Sequence, residues 1–295
     1  MLLTDWMGLS LSVWLRDSHL VQRDTSTSSS SSSPFHLFSI TPPIRLAVLL
    51  ATPPVAPNNP CSQWSPSHLS PNLQVNTTGG CVYRHHVAQS SDAVRGATGA
   101  RTGLHLWEVK WARHQRGSHA LLGVSTHECP TQASGYKVLI GGDSASWGWD
   151  LVTNQLWHDG KARRDYPGGG ALQVPDRVLL VVDADAGTLG FVVDGCFLGT
   201  AFQDLAKGVE LFPAVSCVWG GAEICIRYLC GTKRDAPALQ DLSRLSVHRA
   251  LRLNKDQNHD RKQNYRYYPA AVQRLLLLTN PPLEHTPLEL GSSVS

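Results

Sequence analysis

The chain has 295 residues and a net charge of +3, and only 17% of it is charged and 7% aromatic, a length that allows two domains. Charge is unevenly placed: residues 1–80 hold 3 basic and 3 acidic groups, 81–231 hold 13 and 14, and 232–295 hold 10 and 6. The middle of the chain is therefore net −1 and lacks the basic stripe of a nucleic-acid binder.

Nine of the 18 prolines fall between Pro34 and Pro71, and 23 of the 25 glycines between Gly79 and Gly231. This divides the chain into a Ser/Pro-rich leader expected to be disordered (1–43), a lead-in (44–80), a glycine-punctuated middle able to hold one core (81–231), and a tail (232–295). Met1 to Leu15 is apolar, but Asp5 and the missing basic n-region argue against a signal peptide. Ile44 to Ala51 is interrupted by Arg45 and is far shorter than the ~20 residues of a membrane span. A soluble cytoplasmic protein without membrane association is expected. The cysteines at 61, 81, 129, 196, 217, 225 and 230 are odd in number and lack a C-x-x-C pair, so reduced thiols are expected, with neither a disulfide framework nor a metal site.

From Arg101 onward, β-prone runs alternate with turn residues: Leu104–Trp111, His119–Ser125, Ser146–Leu151, Arg177–Asp183, Gly187–Val193, Leu211–Val218 and Ala222–Leu229. Asp194-Gly195 is a hairpin turn signal, because the turn needs positive φ. Within the first run, His105, Trp107, Val109 and Trp111 share one face, an aromatic core face. Short strands at this spacing, without helices long enough for βαβ units, predict a mostly β protein built as an antiparallel β-sandwich. Residues from about 80 to 231 are expected to fold without leader or tail.

Trp147 and Trp149 share a strand face and suit the sandwich interior, whereas Trp219, in Val218-Trp219-Gly220-Gly221, lies between two strands and suits a recognition anchor as well as a packing role. No phosphate loop, H-E-x-x-H pair or G-x-S-x-G elbow occurs, and no histidine shows metal-ligand spacing, so neither catalysis nor a cofactor is expected. In the tail, Pro237 to Leu253 can form an amphipathic helix, with Leu239, Leu242, Val247, Ala250 and Leu253 within roughly 140° of arc. Residues 254–264 read as a solvated loop, Ala270 to Leu278 as a short helix stopped by Asn280-Pro281-Pro282, and 281–295 as a disordered end.

Several ordered motifs then resemble one family. Val87-Ala88-Gln89-Ser90, Gly103-Leu104-His105-Leu106-Trp107-Glu108, Gln115-Arg116-Gly117-Ser118-His119, Ser146-Trp147-Gly148-Trp149-Asp150, Gly187-Thr188-Leu189-Gly190-Phe191 and Pro213-Ala214-Val215-Ser216-Cys217-Val218-Trp219-Gly220 are similar to those of the SPRY domain-containing SOCS box proteins. The resemblance implies a SPRY (B30.2-type) sandwich over 81–231 and a short α-helical SOCS box over 232–280. It implies a substrate adaptor of a ubiquitin ligase that binds acidic-Ile/Leu-Asn-Asn-Asn peptides, such as that of inducible nitric oxide synthase, and recruits Elongin B/C and Cullin-5. The implied peptide site is Arg84, Ala88, Gln89, Ser118, Tyr136, Leu139, Val218, Trp219 and Gly220. Arg84 would offer a guanidinium fork and Trp219 a face that excludes water. Elongin binding would fall to Leu239, Ser243 and Val247, with serine where the family has cysteine. The cullin segment would be Arg266-Tyr267-Tyr268-Pro269, in which only Pro269 survives from Leu-Pro-Leu-Pro. His86 stands where the family has proline. A peptide-binding module without ligase recruitment and a carbohydrate-binding sandwich are the alternatives.

Overall fold

The computed structural model describes residues 33–170 and 172–233, together with 239, 242, 243 and 245–247. Those up to 233 belong to one compact unit, Met1–Pro237, and the remainder to a second, Ala238–Ser295. The first unit contains two antiparallel sheets. One orders its strands β1 (Trp64–Leu69), β4 (Ser90–Gly96), β14 (Phe212–Cys217), β6 (Ala120–Ser125), β8 (Ser146–Asp150), β9 (Gln155–His158) and β10 (Lys161–Asp165), with β7 (Gln132–Ser134) paired to β4. The other runs β13 (Cys196–Phe202), β12 (Thr188–Val193), β11 (Arg177–Asp183), β5 (Leu104–Trp111), β15 (Glu223–Thr232), β3 (Cys81–Arg84) and β2 (Leu73–Val75).

Period-2 alternation builds the interior. Trp107, Val109 and Trp111 of β5 share one buried cluster with Trp147 and Trp149 of β8 and Phe191 of β12. Each indole is at most 3% exposed, and burial of this much aromatic surface is the main drive to fold. Asp194 (φ 49°) and Gly195 (φ 77°) close the β12–β13 hairpin with two consecutive left-handed residues, as that turn requires.

The opposite face of β5 is also covered. Leu104 and Leu106 join Leu179 and Val181 of β11 and Phe197 of β13 in a second cluster, capped by Leu46 and Leu49. These two leucines lie on α1, the helix Ile44–Ala51, so the short apolar run of the lead-in is a covering helix. Arg45, which interrupts the run, points its guanidinium at Asp183 (3.2 Å) and donates to the Lys233 carbonyl (2.9 Å). No helix among the described residues is long and apolar enough to cross a membrane.

Three sequence expectations need correction. The stretch expected to be disordered to residue 43 is packed from Pro34 onward: Pro34–Phe38 forms a 3-10 turn, Phe35 is 1% exposed, and the Ile40 amide donates to the Phe197 carbonyl (2.8 Å). Phe35 enters the core and Phe38 packs against it, so two rings dock the segment. The lead-in is not separable either, since it supplies β1, β2 and Trp64, whose indole donates to the Ile224 carbonyl (3.0 Å). Finally, Cys81 and Cys225 form a disulfide. They are 144 residues apart in sequence but stand directly opposite in the β3–β15 register, with Cα atoms 4.0 Å apart, so strand pairing alone brings the sulfurs together.

A fragment cut to 81–231 loses Trp64, Leu73, Leu46, Leu49 and Phe35 together. Removing one large buried side chain typically costs about 3–5 kcal/mol, so urea unfolding of this fragment should show no cooperative transition, while residues 33–237 unfold cooperatively. Equal midpoints for the two would refute the structural role of the lead-in.

Candidate functional site

At the end of β3 the chain turns through residues 85–89 before entering β4. Arg84 holds that turn from within. It is 1% exposed, its Nε donates to Asp92 Oδ2 (2.7 Å), and its Nη2 donates to the carbonyls of Val87 (3.0 Å) and Ser90 (2.8 Å). Asp92 is fully buried and also accepts from Ser70 Oγ (2.6 Å), Ser90 Oγ (2.9 Å) and Asn72 Nδ2 (2.9 Å). Burial alone would push the Asp92 carboxyl up, but the Ser70, Ser90 and Asn72 donors and the Arg84 cation outweigh it, and its pKa is lowered.

The loop between β14 and β15 fits against this turn. The Gly221 amide donates to the Arg84 carbonyl (2.9 Å), and the Arg84 amide donates to the Ala222 carbonyl (2.9 Å). At Gly220 a Cβ would fall 2.7 Å from His86 Nδ1 and 3.0 Å from His86 Cα, so only glycine permits the approach. Below Trp219 lies Gly117, at φ 67°, where a Cβ would crowd Val218 and Trp219 at 3.2 and 3.3 Å. The neighbouring Arg116 is buried and donates to the carbonyls of Trp111, Val174 and Pro175. Burial brings its pKa down to about 10, so it stays charged at neutral pH and fixes the chain leading to Gly117 and Ser118.

Between these segments opens a cleft of about 710 Å³, within the usual size of ligand sites. His86, Val87 and Ala88 form one wall, Val218, Trp219 and Gly220 another, and Gly117, Ser118 and Tyr136 complete it. Trp219 and Tyr136 are 48% and 46% exposed, unusual for large aromatics on an otherwise well-packed sandwich. Tyr136 is anchored through its neighbours: Ser91 Oγ donates to the carbonyls of Gly135 and Lys137 (2.9 Å each), and the Gly135 amide donates to the Gln89 carbonyl (2.8 Å). Among the described residues no carboxylate lines the cleft, and its wall groups that can carry a charge are His86 and the Tyr136 phenol.

Of the site residues expected from sequence, Ala88, Ser118, Tyr136, Val218, Trp219 and Gly220 come together in the cleft. Gln89 is exposed on the same turn, with φ 55°. Arg84 lies beneath the wall with its guanidinium turned to Asp92 and the turn carbonyls, so it offers no free fork to a ligand. Leu139 is 4% exposed in a cluster with Leu121, Ile140 and Ala214. Sequence reasoning missed His86, Val87 and Gly117 as lining residues and Asp92 as the anchor; the glycine in Gln115-Arg116-Gly117-Ser118 was the available signal. Cys81, Glu223 and Cys225 offer ligand atoms within 4.8 Å of one another, but the two sulfurs are bonded to each other. In the second unit, the described residues Leu239, Leu242, Ser243 and 245–247 are helical, and Ser243 Oγ donates to the Leu239 carbonyl (2.8 Å). Pro269 lies outside the described residues.

A family model described as the SPRY domain matches residues 104–229. The human SPRY domain-containing SOCS box protein 1 is 44% identical over 217 residues, covering 71% of this chain and 79% of that protein. The rat SPRY domain-containing SOCS box protein 2 is 44% identical over 234 residues, 76% and 88% of the two chains. The Drosophila melanogaster protein gustavus is 38% identical over 247 residues, 81% and 87% respectively.

Removing one partner of a buried ion pair leaves an uncompensated charge, so Asp92→Ala should cost about 3–5 kcal/mol and raise proteolytic cleavage within 85–89. The Asp92 pKa is depressed on folding, so its contribution is complete above the unfolded carboxyl value near ~3.9 and is lost as pH falls through the folded value. Wild-type stability should therefore drop more steeply below pH ~4 than that of Asp92→Asn. Parallel acid unfolding curves for the two proteins would contradict this role.

Proposed function

The chain belongs to the SPRY domain-containing SOCS box protein family, and from that membership we propose that it is a non-catalytic substrate adaptor of a ubiquitin ligase. Its sandwich would select the target and its tail would recruit the ligase. The observation that carries the first half is the cleft itself, in which two half-exposed aromatics stand on loops held from beneath, that of Trp219 by the buried Arg84 and that of Tyr136 by Ser91. Rigid, pre-positioned aromatics lower the ordering cost of binding a flexible peptide.

The proposed ligand is a short acidic-Ile/Leu-Asn-Asn-Asn segment, such as that of inducible nitric oxide synthase. Asparagine side chains each present a donor and an acceptor, and the cleft answers with the Ser118 and Tyr136 hydroxyls and the backbone of 86–88 and 218–220. With the Arg84 guanidinium occupied, the ligand's acidic residue must be met by backbone amides or by His86. Carbohydrate binding gains less support, because Trp147 and Trp149 are buried and leave Trp219 as the indole of the cleft.

For recruitment, Leu239 is 80% exposed and heads the proposed Elongin C-binding box with Ser243 and Val247. Burying a leucine stabilises by about 1.5–3 kcal/mol. The cullin step would rest on 266–269, where a charge and two rings replace a compact Leu-Pro-Leu run, so capture of Cullin-5 should be weaker than capture of Elongin B/C.

Calorimetry with an acidic-Ile-Asn-Asn-Asn peptide should show Trp219→Ala weakening binding by about 2 kcal/mol or more, with the unfolding midpoint unchanged. Unchanged affinity would remove the cleft from the proposed site. In pull-downs, Leu239→Ala should cut Elongin B/C capture by roughly tenfold or more, and restoring Leu-Pro-Leu at 266–268 should raise cullin capture without altering peptide affinity. Equal cullin capture by the unmodified and restored chains would refute the impaired segment.

A further inference from the structure

Both walls of the cleft run directly into the two strands that the disulfide joins. β3 carries Cys81 and ends at Arg84, from which residues 85–89 continue as one wall; β15 carries Cys225 and begins at Glu223, directly after the wall loop 218–222. The two strands share only three paired positions, Glu223 with Tyr83, Ile224 with Val82 and Cys225 with Cys81, and β3 meets the short edge strand β2 on its other side. The covalent bond thus sits within a short ladder whose near end is the cleft, with the Ile226 amide donating to the Gly80 carbonyl (2.8 Å) just beyond it.

The pair is also chemically distinct from the remaining thiols. Cys61, Cys129, Cys196, Cys217 and Cys230 are all buried, and burial pushes the thiols of Cys129, Cys217 and Cys230 up to about 12, leaving almost no thiolate for exchange. Cys81 and Cys225 are half-buried, within reach of solvent. Redox exchange is therefore directed to the one cystine that connects the cleft walls.

We propose that the Cys81–Cys225 disulfide is a redox clasp on the cleft: oxidised, it fixes the two walls in register for binding, and reduction by a cellular dithiol loosens them and weakens the ligand. This rests on the peptide-binding reading of the same cleft. A thiolate of the dithiol attacks one sulfur, forming a mixed disulfide and expelling the other cysteine as thiolate. The second thiol of the reductant then displaces the remaining cysteine. The reductant leaves as a disulfide, and the protein gains two electrons and, after protonation, two thiols. The Glu223 carboxylate, within 4.8 Å of both sulfurs, disfavours thiolate formation in the reduced pair and so slows reclosure. The hydrogen bonds between Arg84 and residues 221 and 222 do not involve the sulfurs, so the reduced protein is expected to stay folded with a less uniform cleft.

The test uses the full chain with its disulfide state verified by thiol counting. Hydrogen exchange on the oxidised and dithiol-reduced protein should show faster exchange at 82–89 and 218–225 after reduction and no change elsewhere. Unchanged exchange in these segments would overturn the clasp whether or not the peptide binds, and global acceleration would overturn it in favour of a purely structural bond. Calorimetry with the acidic-Ile-Asn-Asn-Asn peptide should show binding roughly five- to tenfold weaker after reduction, as when the competent fraction falls to about 0.1–0.2. Cys81→Ser/Cys225→Ser should match the reduced protein and ignore the reductant. Equal affinity in all three forms would overturn the proposal, whereas a peptide that fails to bind even the oxidised form would count against the peptide reading, leaving exchange to decide the clasp.

Discussion

The ion pair between Arg84 and Asp92 is the interaction on which the cleft depends. Both charges are removed from water, which is costly, and the structure offsets that cost with donors from Ser70, Ser90 and Asn72 on the carboxylate and with backbone carbonyls on the guanidinium. Those carbonyls belong to the turn that forms one cleft wall. The same arginine, through its own amide and carbonyl, holds Ala222 and Gly221 of the opposing loop. A single buried residue therefore positions both the 85–89 turn and the 218–222 loop, so that Trp219 stands in place before a ligand arrives.

Local recognition matters because the sandwich has no strong field to draw a ligand in. Residues 81–231 are net −1, and the excess positive charge lies in the tail. An acidic peptide gains nothing from long-range steering toward such a surface. Affinity must come from desolvated contacts on the fixed loops, where His86 and the Ser118 hydroxyl stand beside Trp219.

Much of the sheet architecture was legible because β5, β11 and β12 are short β-prone runs bounded by turn residues, with both faces buried in two different clusters, and because Asp194-Gly195 has few alternatives to a tight hairpin. The strand Ser90–Gly96 was not legible: it reads as polar, yet it is buried throughout between β1 and β14. The helix Ile44–Ala51 is too short for periodicity to separate it from a strand, and the docking of Phe35 depends on a pocket formed by distant residues. The cystine was invisible for the same reason, since register, not spacing, joins positions 144 residues apart. In the site, turn glycines and a loop tryptophan pointed to the cleft, whereas the burial of Arg84 was hidden because charge alone reads as surface.

Chemical-shift mapping on ¹⁵N-labelled protein tests most directly whether the Arg84–Asp92 pair is scaffold and the loops above it are the binding surface. On titration with an acidic-Ile-Asn-Asn-Asn peptide, shifts should concentrate at the amides of 86–88, 117–118, 136 and 218–220 and at the Trp219 indole. The Arg84 Nε–H resonance, bonded to Asp92, should remain in place. A large displacement of that resonance, with the Trp219 indole unmoved, would show that the arginine itself meets the ligand and that the cleft above it does not.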